Sequence, residues 1–135
     1  MSLFRIFDIS GSALHAQTVR LNTTASNMAN IDSISSSTEQ TYRARQPIFA
    51  AQLDEAEEAA AGVDVLGIVE SQTPLRREYR PDHPLADKGG YVNLPNVNPV
   101  EEMANMISAS RSYQSNVEVL NTSKQMLMRT LALGD

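Results

Sequence analysis

The stretch from Tyr91 to Leu120, YVNLPNVNPVEEMANMISASRSYQSNVEVL, decides how the chain is read. It opens as a strand, brakes at Pro95 and Pro99, and then carries a helical pattern to the end of the protein. Asn98 stands one place before Pro99 and three before Glu101. Asn is a favoured N-cap, Pro suits the first helical position, where its missing N–H is harmless, and Glu at N3 can reach back to the cap. Glu101 and Glu102 also suit the positive end of the helix dipole. No Pro or Gly interrupts the run from there to Leu133, which predicts a helix of roughly 35 residues and about 50 Å. Gly134 lies where a helix stop is expected. Met103, Met106 and Ile107 are apolar, and Tyr113, Val117, Leu120, Lys124, Leu127 and Leu131 step by fours and threes, a seam of the kind that packs another helix.

The other end of the chain mirrors this pattern. Phe7, Gly11, Leu14, Thr18, Leu21, Ala25 and Met28 are spaced alternately by four and three, predicting a second helix from about Leu3 to Asn30. Half of these seam positions are small or polar. They allow close approach but bury little apolar area per turn, so the pair alone is marginal. Two readings stand: an antiparallel helical hairpin with its own core, or terminal helices that finish their packing against other subunits.

Composition bounds the rest. The 135 residues amount to one domain, aromatics are 5%, and there is no Trp, so the side chains that usually dominate a core are scarce. The net charge is -5, with acid concentrated at Asp54, Glu55, Glu57 and Glu58, which disfavours nucleic acid as a partner. The absence of Cys excludes disulfides, thiolate metal sites and Cys nucleophiles. No apolar run is long enough to span a bilayer, and Arg5 and Asp8 break the first ten residues, so no secretory signal core is read there.

Between the helices the composition shifts. IDSISSSTEQ (31–40) reads as a flexible Ser/Thr-rich linker, and TYRARQPIFAAQL (41–53) as a short strand interrupted by Pro47. DEAEEAAAG (54–62) reads as a helical turn or mobile loop. VDVLGIVES, RREYR and GGYVNL read as β-strands, with PDHPLADKGG (81–90) supplying the turn. About three short strands would form a small antiparallel sheet or hairpin leaning on the helices. The predicted class is mainly α with a small β part: long N- and C-terminal helices packed as an antiparallel coiled-coil-like pair, plus a small central β hairpin or sheet. The divisions are an N-terminal helix (1–31), a central β-rich segment (32–98) and a C-terminal helix (99–135).

Candidates for chemistry are sparse. His15 lies within the first helix and His83 between prolines, whereas a metal site needs three or four convergent ligands. Gly89 and Gly90 lack the flanking pattern of a phosphate loop and read as a hairpin turn. Adjacent Glu101 and Glu102 point to different sides of a helix and read as cap and dipole partners. Asn22 and Asn121 match a glycosylation pattern but fall inside predicted helices. Arg76, Arg77 and Arg80 read as a solvated strand face pairing with the acidic run. No catalytic residue, cofactor or metal site is assigned. The residues assigned a role are the seam positions Phe7, Leu14, Leu21, Met28, Tyr113, Val117, Leu120, Leu127 and Leu131, and the helix cap Asn98, Pro99 and Glu101.

A resemblance adds to this reading. GSALHAQTVRLNTTASNMAN (11–30) resembles the N-terminal signature shared by axial proteins of the bacterial flagellum, a small-residue start leading through a Leu-Asn pair to Ala-x-Asn-x-Ala-Asn. Gly11, Leu21, Asn22, Ala25, Asn27, Ala29 and Asn30 carry it. Where the broader family continues with a Thr-Pro-Gly-Tyr type segment, this chain has IDSISSSTEQTYRAR. TYRARQPIF (41–49) and the run from Gly67 to Leu131, with HPLAD, GYV, PNVN and VEEM in order, are similar to the proximal-rod type of flagellar basal-body rod protein. The similarity covers nearly the whole chain, although Asp54 to Gly62 carries no signature. It implies a non-enzymatic, self-assembling subunit of the hollow rod that transmits torque, exported through the flagellar type III apparatus without a cleaved signal and placed in the periplasmic part of the basal body. It also implies packing against copies of itself and other rod subunits, with a base-plate adaptor and a membrane ring below. Nucleic acid and direct membrane insertion are not expected. The alternatives are a cytoplasmic helical adaptor or scaffold, a sibling axial rod protein and, more remotely, a small hydrolase.

Overall fold

The computed structural model describes residues 3–54 and 59–134. The elements run α1 (Leu3–Ala29), β1 (Arg45–Asp54), β2 (Ala59–Glu70), β3 (Arg76–Tyr79), β4 (Tyr91–Leu94) and α2 (Pro99–Leu133). The fold is mainly α with a small β part. α2 begins where local chemistry dictates. Asn98 is extended, and its Oδ1 accepts from the Val100 amide at 3.1 Å and the Glu101 amide at 3.4 Å, with Pro99 at the first position. At its other end the Gly134 amide donates to the Leu131 carbonyl at 3.2 Å. α1 stops one residue short of the predicted end. There the Asn30 side chain folds back to donate to the Ser26 carbonyl at 2.9 Å, a local bond that competes with helix continuation.

The helices are antiparallel. Arg20 Nη2 donates to Asn105 Oδ1 at 3.1 Å, while Thr24 and Asn27, further along α1, bond Glu102, earlier on α2. α1 runs 27 − 3 = 24 residues back from Asn27 and α2 runs 133 − 102 = 31 residues on from Glu102, so with the pair aligned at these two residues the far end of α2 overhangs by 31 − 24 = 7 residues, about 10 Å of helix.

The middle of the chain is the small antiparallel β part expected there. It forms two separate two-stranded antiparallel hairpins, β1–β2 and β3–β4. β1 runs through Pro47, which pairs with Ile68. In a two-stranded ribbon each strand has an open edge, where proline's missing donor is tolerated. Ala59 to Gly62 belong to β2 rather than to a helical turn: Asp54 pairs with Ala59 and Leu53 with Ala60, and cross-strand pairing overrides alanine's helical preference. The remainder of the acidic run, residues 55–58, lies outside the described residues. Residues 31–40, expected as a flexible linker, and residues 41–44, read as the start of a strand, are pinned. Thr41 and Ala44 are buried, Ser35 bridges to Asn93, and the Ala44 amide donates to Asn96 Oδ1 at 2.7 Å.

The β3–β4 turn is built by Asp87, whose Oδ1 accepts from the Gly89 and Tyr91 amides while Oδ2 meets Arg77 Nη2 at 2.8 Å. The Tyr91 amide bond in particular holds this carboxyl below the usual carboxylate range. Gly90 sits at φ 81, and a Cβ there would lie 2.8 Å from the Tyr79 ring. The apolar core is small: Val92, Leu94 and Val97 lie in and after β4, joined by Ala16, Ala44 and Ala109. None is aromatic, in keeping with the composition.

Candidate assembly interface

The contact between α1 and α2 is polar. On α1, Arg20, Thr24 and Asn27 face α2; the same stripe continued by threes and fours passes through Gln17, Ala13 and Ser10. Ser10 is buried, and Gln17 Oε1 is buried without a hydrogen-bond partner among the described residues. On α2, the buried residues are Glu102, Ala109 and Ser123. Small side chains let the axes approach, but they add little apolar area.

One point on this contact ties together four parts of the chain. Asn27 is 1% exposed, and its Oδ1 accepts from the Tyr42 hydroxyl at 2.8 Å and the Arg45 amide at 2.9 Å. Its Nδ2 donates to the Arg45 carbonyl at 2.9 Å, and the same side chain bonds the Glu102 carboxyl. Two acceptor positions and two donor hydrogens exhaust an asparagine amide. Asp would lack the donors, and Ser would lack the reach. Glu102 itself is 6% exposed; burial pushes its carboxyl above the usual range, bonds from Asn27 and Thr24 pull the other way, and neighbouring Glu101 adds to the rise. Reading Glu102 as only a dipole partner missed this burial. The missed signal is its membership of the stripe Glu102, Asn105, Ala109, which lacks a large apolar residue and so escapes a search for apolar periodicity.

The sequence-derived seam residues occupy a different side. At about 100° per residue, the α1 series Phe7, Leu14, Leu21 and Met28 is turned about 90° from the stripe facing α2, and Tyr113, Val117 and Leu131 about 70° from the stripe facing α1. In antiparallel helices these two offsets fall on the same side of the pair. Phe7, Leu14, Leu21 and Met28 are half-buried, as is Val117, whereas Tyr113 is 37% and Leu131 65% exposed. Leu120 and Leu127, also half-buried, are exceptions: they fall at the same helical angles as Glu102 and Ala109, on the stripe that faces α1. The opposite side of α1 carries the β1–β2 hairpin: the Val63 amide donates to Ser12 Oγ at 3.0 Å, and Val19, Thr23 and Ser26 line a recess with Ile68. The helix pair therefore has one side covered by β structure and an apolar flank that the described residues leave only partly covered.

The remaining candidates resolve locally. His15 is exposed on α1, and His83 Nδ1 accepts from the Leu85 amide within the turn. Asn22 and Asn121 are both helical. Among the described residues the arginine cluster pairs with nearby acids, Arg77 with Asp87, Arg80 with Glu78 and Arg76 with Asp32, while Glu55, Glu57 and Glu58 of the acidic run lie outside the described residues. Among the described residues no group of three or more His, Asp or Glu could hold a metal ion, and no helix is long and apolar enough to cross a membrane.

Paired helices from the two chain ends, with a hairpin on one side and an apolar flank on the other, define a structural protein with helical termini. Comparison with known proteins specifies it. Residues 7–33 match the family described as flagella basal body rod protein, and residues 88–133 the C-terminal family of flagellar basal body rod FlgEFG proteins. The chain is 55% identical to the flagellar basal-body rod protein FlgC of Salmonella typhimurium over 135 residues, and 56% identical to that of Escherichia coli O6:H1, with 99% of each chain covered. It is 53% identical to that of Yersinia enterocolitica over 134 residues, again with 99% coverage of both chains. The chain belongs to the FlgC family of flagellar basal-body rod proteins. It is a non-enzymatic, structural subunit of the proximal rod and assembles with other rod subunits in the basal body.

Proposed function

We propose that the subunit enters the rod through the open side of its helix pair, with Phe7, Leu14, Leu21, Met28, Tyr113, Val117, Leu120, Leu127 and Leu131 packing against copies of itself and sibling rod proteins. In this reading residues 1–31 and 99–135 build the axial core and residues 32–98 the outer segment. The subunit reaches the periplasm through the flagellar type III apparatus without a cleaved signal, and it meets a base-plate adaptor and the membrane ring at its lower end. The observation that carries the reading is the apolar flank on the side of the pair turned away from the β1–β2 hairpin. Many modest apolar contacts along two long helices resist shear collectively, as torque transmission requires.

The test uses Leu131, which is largely exposed in the single chain. Leu131→Asp leaves the folded subunit intact in this reading, so its urea midpoint and its export into the medium match the parent. Incorporation into isolated basal bodies and swimming are lost. Normal incorporation of an exported Leu131→Asp subunit refutes the seam; failure of export alone refutes the export route.

A further inference from the structure

We propose that Glu102 is a proton-operated latch on the docking of α2: uncharged, it seats the first turn of α2 against α1, and charged, it weakens that seat and, through Asn27, the hold on β1. The geometry isolates this carboxyl. It lies against Thr24 and Asn27 of α1 and lines a cleft of 230 Å³ between α1, β1 and α2. The charged groups bordering that cleft are Arg20 on α1, Arg45 on β1 and Glu101 on α2. Arg20 Nη2 donates to Asn105 rather than to Glu102, and Arg45 lies 3.7 Å from Glu70 and over the Tyr42 ring. Glu101 is a like charge. Among the described residues neither arginine makes an ion pair with Glu102, so its charged form rests on two neutral donors, Thr24 and Asn27.

Burial of a carboxyl without an ion partner favours its neutral form. Its folded value therefore lies above the ordinary glutamate value of about 4.3. A group raised in this way adds stability below its unfolded value, and that contribution is lost as pH rises through the folded value. Docking of α2 is tighter in mild acid and looser at neutrality. Because Asn27 bonds both Glu102 and the Arg45 backbone, loosening reaches the anchor of β1.

The experiment uses the purified full-length chain and its Glu102→Gln variant, whose amide mimics the uncharged carboxyl. Urea unfolding of both is followed from pH 4 to 7.5. Relative to the variant, the folding constant of the parent is expected to fall as pH rises, about tenfold for each pH unit by which the folded value exceeds the unfolded one. At pH 7 the Arg45 amide is expected to exchange more slowly in the variant. Parallel pH profiles, or equal exchange at Arg45, overturn the latch. Should the variant not fold, carbon-detected titration of Glu102 in the parent decides alone: a midpoint at or below the ordinary glutamate value refutes the proposal.

Discussion

Replacement of Asn27 by Ala removes the side chain on which α1, β1, α2 and the Tyr42 loop converge. Three of its bonds are short and well defined: Tyr42 Oη at 2.8 Å and the Arg45 amide and carbonyl at 2.9 Å each. A typical intramolecular hydrogen bond contributes a net of about 1 kcal/mol, and leaving a buried backbone group unpaired costs more, so about 3 kcal/mol is expected from these three. That is a substantial part of the roughly 5–15 kcal/mol that holds a domain folded. Urea unfolding monitored by circular dichroism measures it, with Asn30→Ala as the control. Asn30 makes one side-chain bond back into its own helix and one to Ser33, both at the surface end of α1, and its loss should cost about 1 kcal/mol or less. Equal shifts for the two variants would refute the claim that Asn27 joins the elements. So would an Asn27→Ala protein in which the Arg45 amide keeps its parental exchange protection.

Other perturbations test separate parts of the fold. Asn98→Ala is expected to cost about 1 kcal/mol by removing the α2 cap, seen as a lower urea midpoint and faster exchange of the Val100 and Glu101 amides. Gly90→Ala forces a Cβ into the Tyr79 ring at positive φ, and a loss of about 1–3 kcal/mol is expected, with the Tyr79 and Tyr91 ring resonances displaced. For Asp87 the folded carboxyl is lowered, so its contribution is complete above the ordinary aspartate value of about 4 and disappears as pH falls through the lower folded value. Asp87→Asn should accordingly flatten the acid limb of the stability profile below pH 4; an unchanged limb would refute the assigned role.

The sequence exposed some of this structure because it is local. Asn98 followed by Pro99 and Glu101 announces the start of α2 through backbone chemistry alone, and the β3–β4 turn follows from Asp87, Gly89 and Gly90. The pairing of the helices was harder to read. Periodicity marks apolar residues, whereas the chain joins α1 to α2 through Arg20, Thr24, Asn27, Glu102 and Asn105 and leaves much of its apolar seam on a flank. The first part of β2 was misread for another reason. The alanines from Ala59 to Ala61 favour helix, and only the partners Gln52, Leu53 and Asp54 make Ala59 to Gly62 a strand. The Ser/Thr-rich segment showed no period because its order comes from contacts distant in sequence, Ser35 with Asn93 and Ala44 with Asn96.

The unequal lengths of α1 and α2 bear on mechanics. In the rod packing proposed above, a pair whose members stop at different heights overlaps the next level rather than meeting it at a flush plane, as boards do in a lap joint. A twisting load crossing that level then meets continuous backbone in one helix wherever the other has ended, and no horizontal cut passes through chain ends alone.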